Sequence, residues 1–321
     1  MSKNKDQSEV KTKKGKKWKS TDLELVILGL PTFIYFFLFM YLPLPGLLLA
    51  FKNYRPKPGH NFFYSLFTSK SAGFKNFEVL FRTPDAPKMI FNTLFYNIIG
   101  IILGAILPVA IAMMLSELRS KKVMKTTQTM MFLPHFLSWV VVSNIVYAFL
   151  APNRGYINNV LLANSSKQID WYNTPQYWRF ILIFMNQWKS IGYTSIIYMS
   201  AITSIDNSLY EAAMIDGATK FQQARFITIP HLRRTISVML IMSIGSIFTT
   251  GLDLYYLVPR QAFPLYDTYI TVDVYVYNSA TKAGNLPQGS AVGFLQSVIG
   301  FFMVVAANLV IKKVDPESSL F

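Results

Sequence analysis

Between two apolar runs the chain carries EAAMIDGATKFQQARFITIP, Glu211 to Pro230, a polar and helix-prone stretch broken once by Gly217. Its spacing predicts helix, sharp turn, helix. Ser208 and Glu211 stand three residues apart, the spacing of a capping box with Ser208 as N-cap. Leu209 to Asp216 then read as two helical turns, and Gly217 suits the left-handed position that ends a helix. Thr219 caps a second helix through Gln222, Arg225 and Ile227. Pro230 lies near its end, because proline disfavours helical geometry at the residue before it. Ala212 and Ala213 give the first helix a shallow face that another surface can approach closely. Two roles fit such a segment, a loop helix resting on the inner leaflet or a dock for a protein partner. A surface-lying helix shows a broad bulky apolar face. This one offers alanines and acids, which are poor companions for anionic lipid, so the balance tips toward a protein.

The flanking sequence places the segment in a membrane protein. Of 321 residues, 52% are hydrophobic and 15% charged, against about 25% charged in soluble domains; the mean hydropathy is +0.32. Residues 25–50, 90–115, 130–150, 180–202, 236–250 and 292–311 are runs with few charges, and Leu252 to Val258 extend the short fifth one. A span needs about 20 mostly apolar residues. Continuous runs without alternation exclude a barrel, and lipid admits only helices otherwise. The predicted class is an all-α integral membrane protein with six transmembrane helices. Residues 1–20 form a basic tail and residues 21–315 one transmembrane domain, with the opening segment at 204–234.

The net charge of +15 does not point to nucleic acid, because of where it lies. Eight lysines precede the first run. Arg119, Lys121, Lys122 and Lys125 fill the second loop, Lys220, Arg225, Arg233 and Arg234 the fourth, and Lys312 and Lys313 follow the last run. The positive-inside rule puts these loops and both termini in the cytoplasm, hence a multi-pass protein of the plasma or inner membrane. The first loop, with Lys52, Arg55, Lys57, Lys70, Lys75, Arg82 and Lys88, runs against the rule and suits an anionic cell surface or an acidic ligand. The tail reads as a segment near anionic lipid and not as a signal peptide, since the apolar run behind it is too long. There is no cysteine. The three histidines lack ligand spacing, so no metal site is expected. Asp267 and Asp273 fall on an outer loop too short for a glycosidase pair.

Glu211-Ala-Ala, Gly217 and then Ile227-Thr-Ile-Pro230 resemble the EAA signature of permease subunits of binding-protein-dependent ABC importers, which runs EAA, three residues, Gly, nine residues, then Ile-x-Leu-Pro. Ile229 replaces the usual Leu. Trp188-Lys-Ser-Ile-Gly192, Ile196-Ile-Tyr198 and Ile205-Asp-Asn-Ser-Leu-Tyr210 resemble the carbohydrate branch, the relatives of the maltose permease. Tyr41-Leu-Pro-Leu-Pro-Gly46, Asn92-Thr93 and Gly293-Phe-Leu-Gln-Ser297 resemble a subgroup importing complex oligosaccharides. The resemblance runs from about residue 22 to the end.

It implies the type I importer fold and a coupling helix seated in a cleft of a cytoplasmic ATPase. Glu211 is implied as a charged contact, Ala212 and Ala213 as close packing and Gly217 as the turn, with Asp216, Ile227 and Pro230 in the same segment. The implied partners are a second homologous permease, two ATP-binding subunits and an extracytoplasmic sugar-binding protein, around an oligosaccharide substrate and membrane lipid. No cofactor and no catalytic residue is expected here; ATP and Mg belong to the ATPase, since the chain has no G-x-x-x-x-G-K-[ST] loop. For the substrate path the candidates are Asn144, Asn186, Trp188, Lys189 and Tyr193. A lysine within a span costs about 2.5–3.5 kcal/mol on insertion scales, so Lys189 must face protein or water. Either it meets sugar oxygens, beside Trp188 or Tyr193 as a stacking surface, or it serves structure, at a carbonyl or at a carboxylate of the sister subunit. An ion-coupled transporter is the alternative function; it calls for acids inside the spans, and the six runs contain none.

Overall fold

The computed structural model describes residues 20–163 and 168–319. The expected basic tail therefore lies, apart from its last residue, outside the described residues. Helices follow in the order α1 Ser20–Phe36, α2 Phe62–Thr68, α3 Lys75–Arg82, α4 Ala86–Ser116, α5 Lys121–Phe136, α6 Trp139–Leu150, α7 Trp178–Thr203, α8 Asn207–Ile215, α9 Lys220–Gln223, α10 Ile229–Gly245, α11 Leu252–Leu257, α12 Tyr266–Tyr269, α13 Val272–Thr281 and α14 Leu286–Val314. Residues up to Leu47 form one unit and Leu48 onward a second. In the first, α1 passes into a wide π turn at Phe37–Tyr41, and its apolar side chains are exposed throughout.

By length and hydropathy three helices suffice to cross a membrane: Leu23–Phe51, α4 and α14. Two of the expected continuous runs are instead broken. The third divides into α5 and α6, bent by 99°. Ser138 takes extended geometry and accepts a hydrogen bond from the Val141 N–H at 3.4 Å, starting a new helix; Pro134 has already removed one donor from the end of α5. The fifth run divides into α10 and α11 around residues 246–251, where Gly251 adopts φ +78°.

Lipid is as apolar as leucine, so helices in a membrane associate through close packing and interhelical hydrogen bonds rather than hydrophobic expulsion. Both devices are present. In α7, Gly192 lets the backbone of α5 approach: a Cβ there would sit 1.9 Å from the Met131 carbonyl oxygen. At the end of the bundle where α7 begins, buried polar groups of α4 hold the chain that precedes α13. Asn92 donates to the carbonyls of Asp267 and Ile270, both at 2.9 Å, Tyr96 donates to that of Thr268 at 2.7 Å, and Thr93 accepts from the Val272 N–H at 2.9 Å. One hydrophobic core there centres on Trp178, Leu182, Tyr255 and Val258; another, toward the end of α7, joins Val109, Ala112, Tyr198, Met199 and Leu232. Tyr172 and Trp178 are buried in the first core, where the Trp178 indole donates to the Trp171 carbonyl at 2.6 Å.

Candidate functional site

The segment after α7 folds as helix, turn, helix, with two corrections. Asp206, not Ser208, caps α8: its carboxylate accepts the Ser208 N–H at 3.0 Å. That bond holds the Asp206 carboxyl below the usual carboxylate range. An Asx cap forms within two residues and so pre-empts the capping box further on. At the other end Pro230 does not stop the second helix. Chain from α9 continues through a π turn, Ala224–Thr228, into α10, with Pro230 in its first turn. The first turn of a helix tolerates a missing N–H, and the wider π turn relieves the crowding that the ring would impose on an α-helix.

The turn itself is as expected. Gly217 lies at φ +76°. The Ala218 N–H reaches the Ala213 carbonyl at 2.8 Å and the Gly217 N–H that of Met214 at 3.1 Å, the bond pair of a Schellman motif. Among the described residues, its chain neighbours apart, no atom lies within 4 Å of where a Gly217 Cβ would be, so conformation and not space demands glycine. Thr219 and Gln222 then form a reciprocal capping box. The hairpin is pinned to its own stem by Tyr210 Oη and Thr228 Oγ1, 2.9 Å apart. An exposed ion pair ties it to the end of α4, Lys220 to Glu117 at 2.9 Å, and in α10 Arg233 pairs at 3.0 Å with the partly buried Asp315 after α14.

Glu211, Ala212, Asp216, Gly217 and Pro230 are exposed, and Ala213 and Ile227 partly so. The alanine-and-acid picture missed the apolar tip: Ile215 is 87% exposed, Phe221 73% and Met214 53%. Clustered exposed apolar groups rimmed by charge mark a docking surface. Their flanking of Gly217 was the available signal.

The substrate-path candidates are dispersed. Asn186 and Tyr193 line an open groove of about 650 Å³ between α4, α7 and α10, together with Asn97, Gln187, Ser190 and Ser246. Gln187 is 8% exposed, and its Oε1 has no hydrogen-bond partner among the described residues. The groove reaches the break between α10 and α11, where Ser246, Ile247 and Thr249 N–H groups bond to nearby carbonyls and other backbone groups are met from afar. Asn97 donates to the Ile247 carbonyl at 2.7 Å and Gln296 to that of Phe248 at 2.6 Å, while Asp273 accepts the Thr250 N–H at 2.6 Å. Asp273 is thus no solvated loop acid. It is drawn in by Thr250 and Gln296, whereas Asp267 pairs with Lys88 at 2.7 Å.

Lys189 donates to the His135 carbonyl at 2.8 Å, capping the end of α5 at the bend, and stands 5.4 Å from the Trp139 ring centroid. The His135 ring stacks on Tyr193 at 4.6 Å. Trp188 lines a separate apolar cleft with Val142, Phe149, Phe180 and Phe184. Asn144 is remote from the groove and meets Arg260. On α7 the groove residues Asn186, Ser190, Tyr193 and Ile197 recur every three or four positions, one helical face; that periodicity was the legible signal for Ser190.

Residues 97–316 match the family model described as binding-protein-dependent transport system inner membrane component. Protein LplB of Bacillus subtilis is 32% identical over 311 residues, covering 95% of this chain and 94% of that one. The polygalacturonan/rhamnogalacturonan transport system permease protein YteP of the same organism is 32% identical over 297 residues, covering 91% and 89%. A chain in the crystal structure of a bacterial alginate ABC transporter, in complex with alginate pentasaccharide-bound periplasmic protein, shares the all-helical fold with TM-score 0.80 and 32% identity, covering 92% and 96%. The chain belongs to the family of binding-protein-dependent transport system inner membrane components.

Proposed function

We propose that this chain is the inner-membrane permease of an ABC importer that brings an oligosaccharide into the cell, with ATP hydrolysed by a partner subunit. The observation that carries the reading is the exposed hairpin Asn207–Thr228, with its glycine turn and apolar tip, on helices that also wall a polar groove. Residues 204–234 are its coupling segment. Met214, Ile215 and Phe221 enter a cleft of the ATP-binding subunit, Ala212 and Ala213 allow close approach, and Glu211 and Asp216 supply charged contacts. Gly217 sets the turn, while Ile227 and Pro230 carry its movement into α10.

The complex contains a second homologous permease, two ATP-binding subunits holding ATP and Mg, and an extracytoplasmic protein that delivers sugar. Support for that last partner is the periplasmic protein in the alginate transporter structure. The chain crosses the membrane six times, counting each broken pair as one span, as the charge distribution favours with both termini inside. Residues 1–20 are a cytoplasmic tail and 21–315 the membrane domain. Sugar passes along the groove, where Asn186, Gln187 and Ser190 offer amide and hydroxyl groups and Tyr193 an aromatic face. Lys189 supports that wall through His135 rather than touching sugar.

Purification of the tagged chain from native membranes in mild detergent tests the reading. Stoichiometric recovery of an ATP-binding subunit and a second permease is expected. Recovery of the folded chain alone, without ATPase activity, points to a secondary transporter instead.

A further inference from the structure

We propose that Arg260, with Tyr147 and Asn144, forms an entry site for the carboxylate of an acidic, uronate-bearing oligosaccharide, with Lys282 as a second cation. The proposal rests on the reading of the cargo as an oligosaccharide and adds its charge class and the residues that read it.

Arg260 and Gln261 are consecutive non-glycine residues at positive φ, +52° and +53°. One such residue is uncommon, and adjacent ones persist only where surrounding contacts impose them. The contacts here aim cations. The Arg260 guanidinium carbon lies 4.1 Å from the Tyr147 ring centroid, and Nη1 donates to Asn144 Oδ1 at 3.4 Å. The Gln261 amide oxygen takes a hydrogen bond from Lys282 Nζ, which stands 5.6 Å from the Tyr256 ring centroid. Among the described residues neither cation has a carboxylate within salt-bridge distance, and both are exposed.

A guanidinium has five N–H donors. Stacking uses its face and Asn144 one edge hydrogen, so a planar fork is left free, the geometry that takes a carboxylate in two parallel bonds. Aromatic rings beside it suit the flat apolar face of a pyranose, and the Asn144 amide suits sugar hydroxyls. A lipid phosphate would need the charge but not the rings. The position is also right. Tyr172 Oη donates to the Val258 carbonyl at 3.5 Å, placing Arg260 by the start of α7, the opposite end of that 26-residue helix from the coupling segment.

The test is uptake by the complete complex in proteoliposomes, using oligogalacturonate and its carboxyl-reduced, neutral counterpart of equal length. Arg260→Gln is expected to raise the half-saturating concentration of the acidic sugar by about tenfold or more, the loss of one charge-assisted pair. Saturated turnover should hold. Arg260→Lys should recover part of the loss, and Lys282→Gln should show a smaller one. Added salt should weaken uptake by the wild type more than uptake by Arg260→Gln, which keeps only Lys282. Equal loss of both sugars in Arg260→Gln, or no loss of either, overturns the site. Wild-type transport of the neutral sugar alone overturns the site and leaves the importer reading intact. Wild-type transport of neither sugar overturns the site, and the importer reading then falls or stands on the copurification of an ATPase.

Discussion

The turn at Gly217 and the break at residues 246–251 both interrupt helix, and opposite means hold them. Around Gly217 every backbone bond closes on a neighbour: Ala218 to Ala213, Gly217 to Met214, Thr219 to Gln222. Around the break a few local turns remain, but Asn97, Asp273 and Gln296 add partners from 23 to 150 residues away. The turn of the first closes on bonds within the hairpin itself, with one ion pair, Lys220 to Glu117, reaching outside it. The second exists only while α4, α13 and α14 surround it, and irregular backbone at membrane depth is tolerated only where protein or a water-filled cavity meets its polar groups. Under the proposed function, coupling would fall to the locally bonded hairpin and passage to the groove beside the break.

The comparison breaks most visibly at the turn. Gly217→Val forces a Cβ into a left-handed backbone, which costs about 1–2 kcal/mol for an ordinary residue and more for a β-branched one. Uptake is expected to fall to background while expression and the melting temperature of the complex hold; normal uptake at normal expression would falsify the coupling role.

Asn97→Leu should fail in the other manner. It strips the Ile247 carbonyl of its donor, and an unmet buried group costs about 1–3 kcal/mol. Thermal stability of the purified complex should drop together with uptake, whereas hydrogen exchange across residues 207–228 stays as in the wild type. A variant that keeps its melting point but loses exchange protection in the hairpin would show that the two regions are not separate.

Lys189→Met sharpens the contrast within α7. The bond to the His135 carbonyl assigns the lysine to the bend between α5 and α6, so lower complex yield is expected, with the half-saturating sugar concentration unchanged in what survives. A normal yield with weakened sugar affinity would return Lys189 to the path.

Thr219→Ala removes one cap, worth about 1 kcal/mol, and should lower ATPase stimulation by the binding protein only partly. The smallest effect is acidic. The Asp206 carboxyl has a folded pKa below its unfolded value. Its contribution is present above the unfolded value and fades as pH falls through the folded one, so fraying at the start of α8, read by hydrogen exchange, should begin only under strongly acidic conditions.

Much of the coupling segment was legible because its chemistry is local. Gly217, Thr219 and Gln222 stand at spacings that one helix end imposes, and alternatives within three residues are few. Where the reading slipped, it slipped by competition at the same range: Asp206 captured the Ser208 N–H before Ser208 could cap, and a π turn carried the chain past Pro230. The groove was legible only as an odd set of polar residues. Asn186 and Tyr193 share a face with Ser190 and Trp188 lies on the other side of the helix, whereas Lys189, at the edge of the same face, is taken up by the His135 carbonyl.

Apolar run length and short-range hydrogen bonding are enough to write this chain into a membrane as helices, with one polar hairpin among them that turns at Gly217. The packed fold adds that two of the apolar runs are broken, that Asp273 serves the break rather than the solvent, and that Asn144 belongs with Arg260. Those outcomes depend on which distant side chains arrive to meet freed backbone and charge, and no spacing along the chain encodes an arrival across 150 or 116 residues.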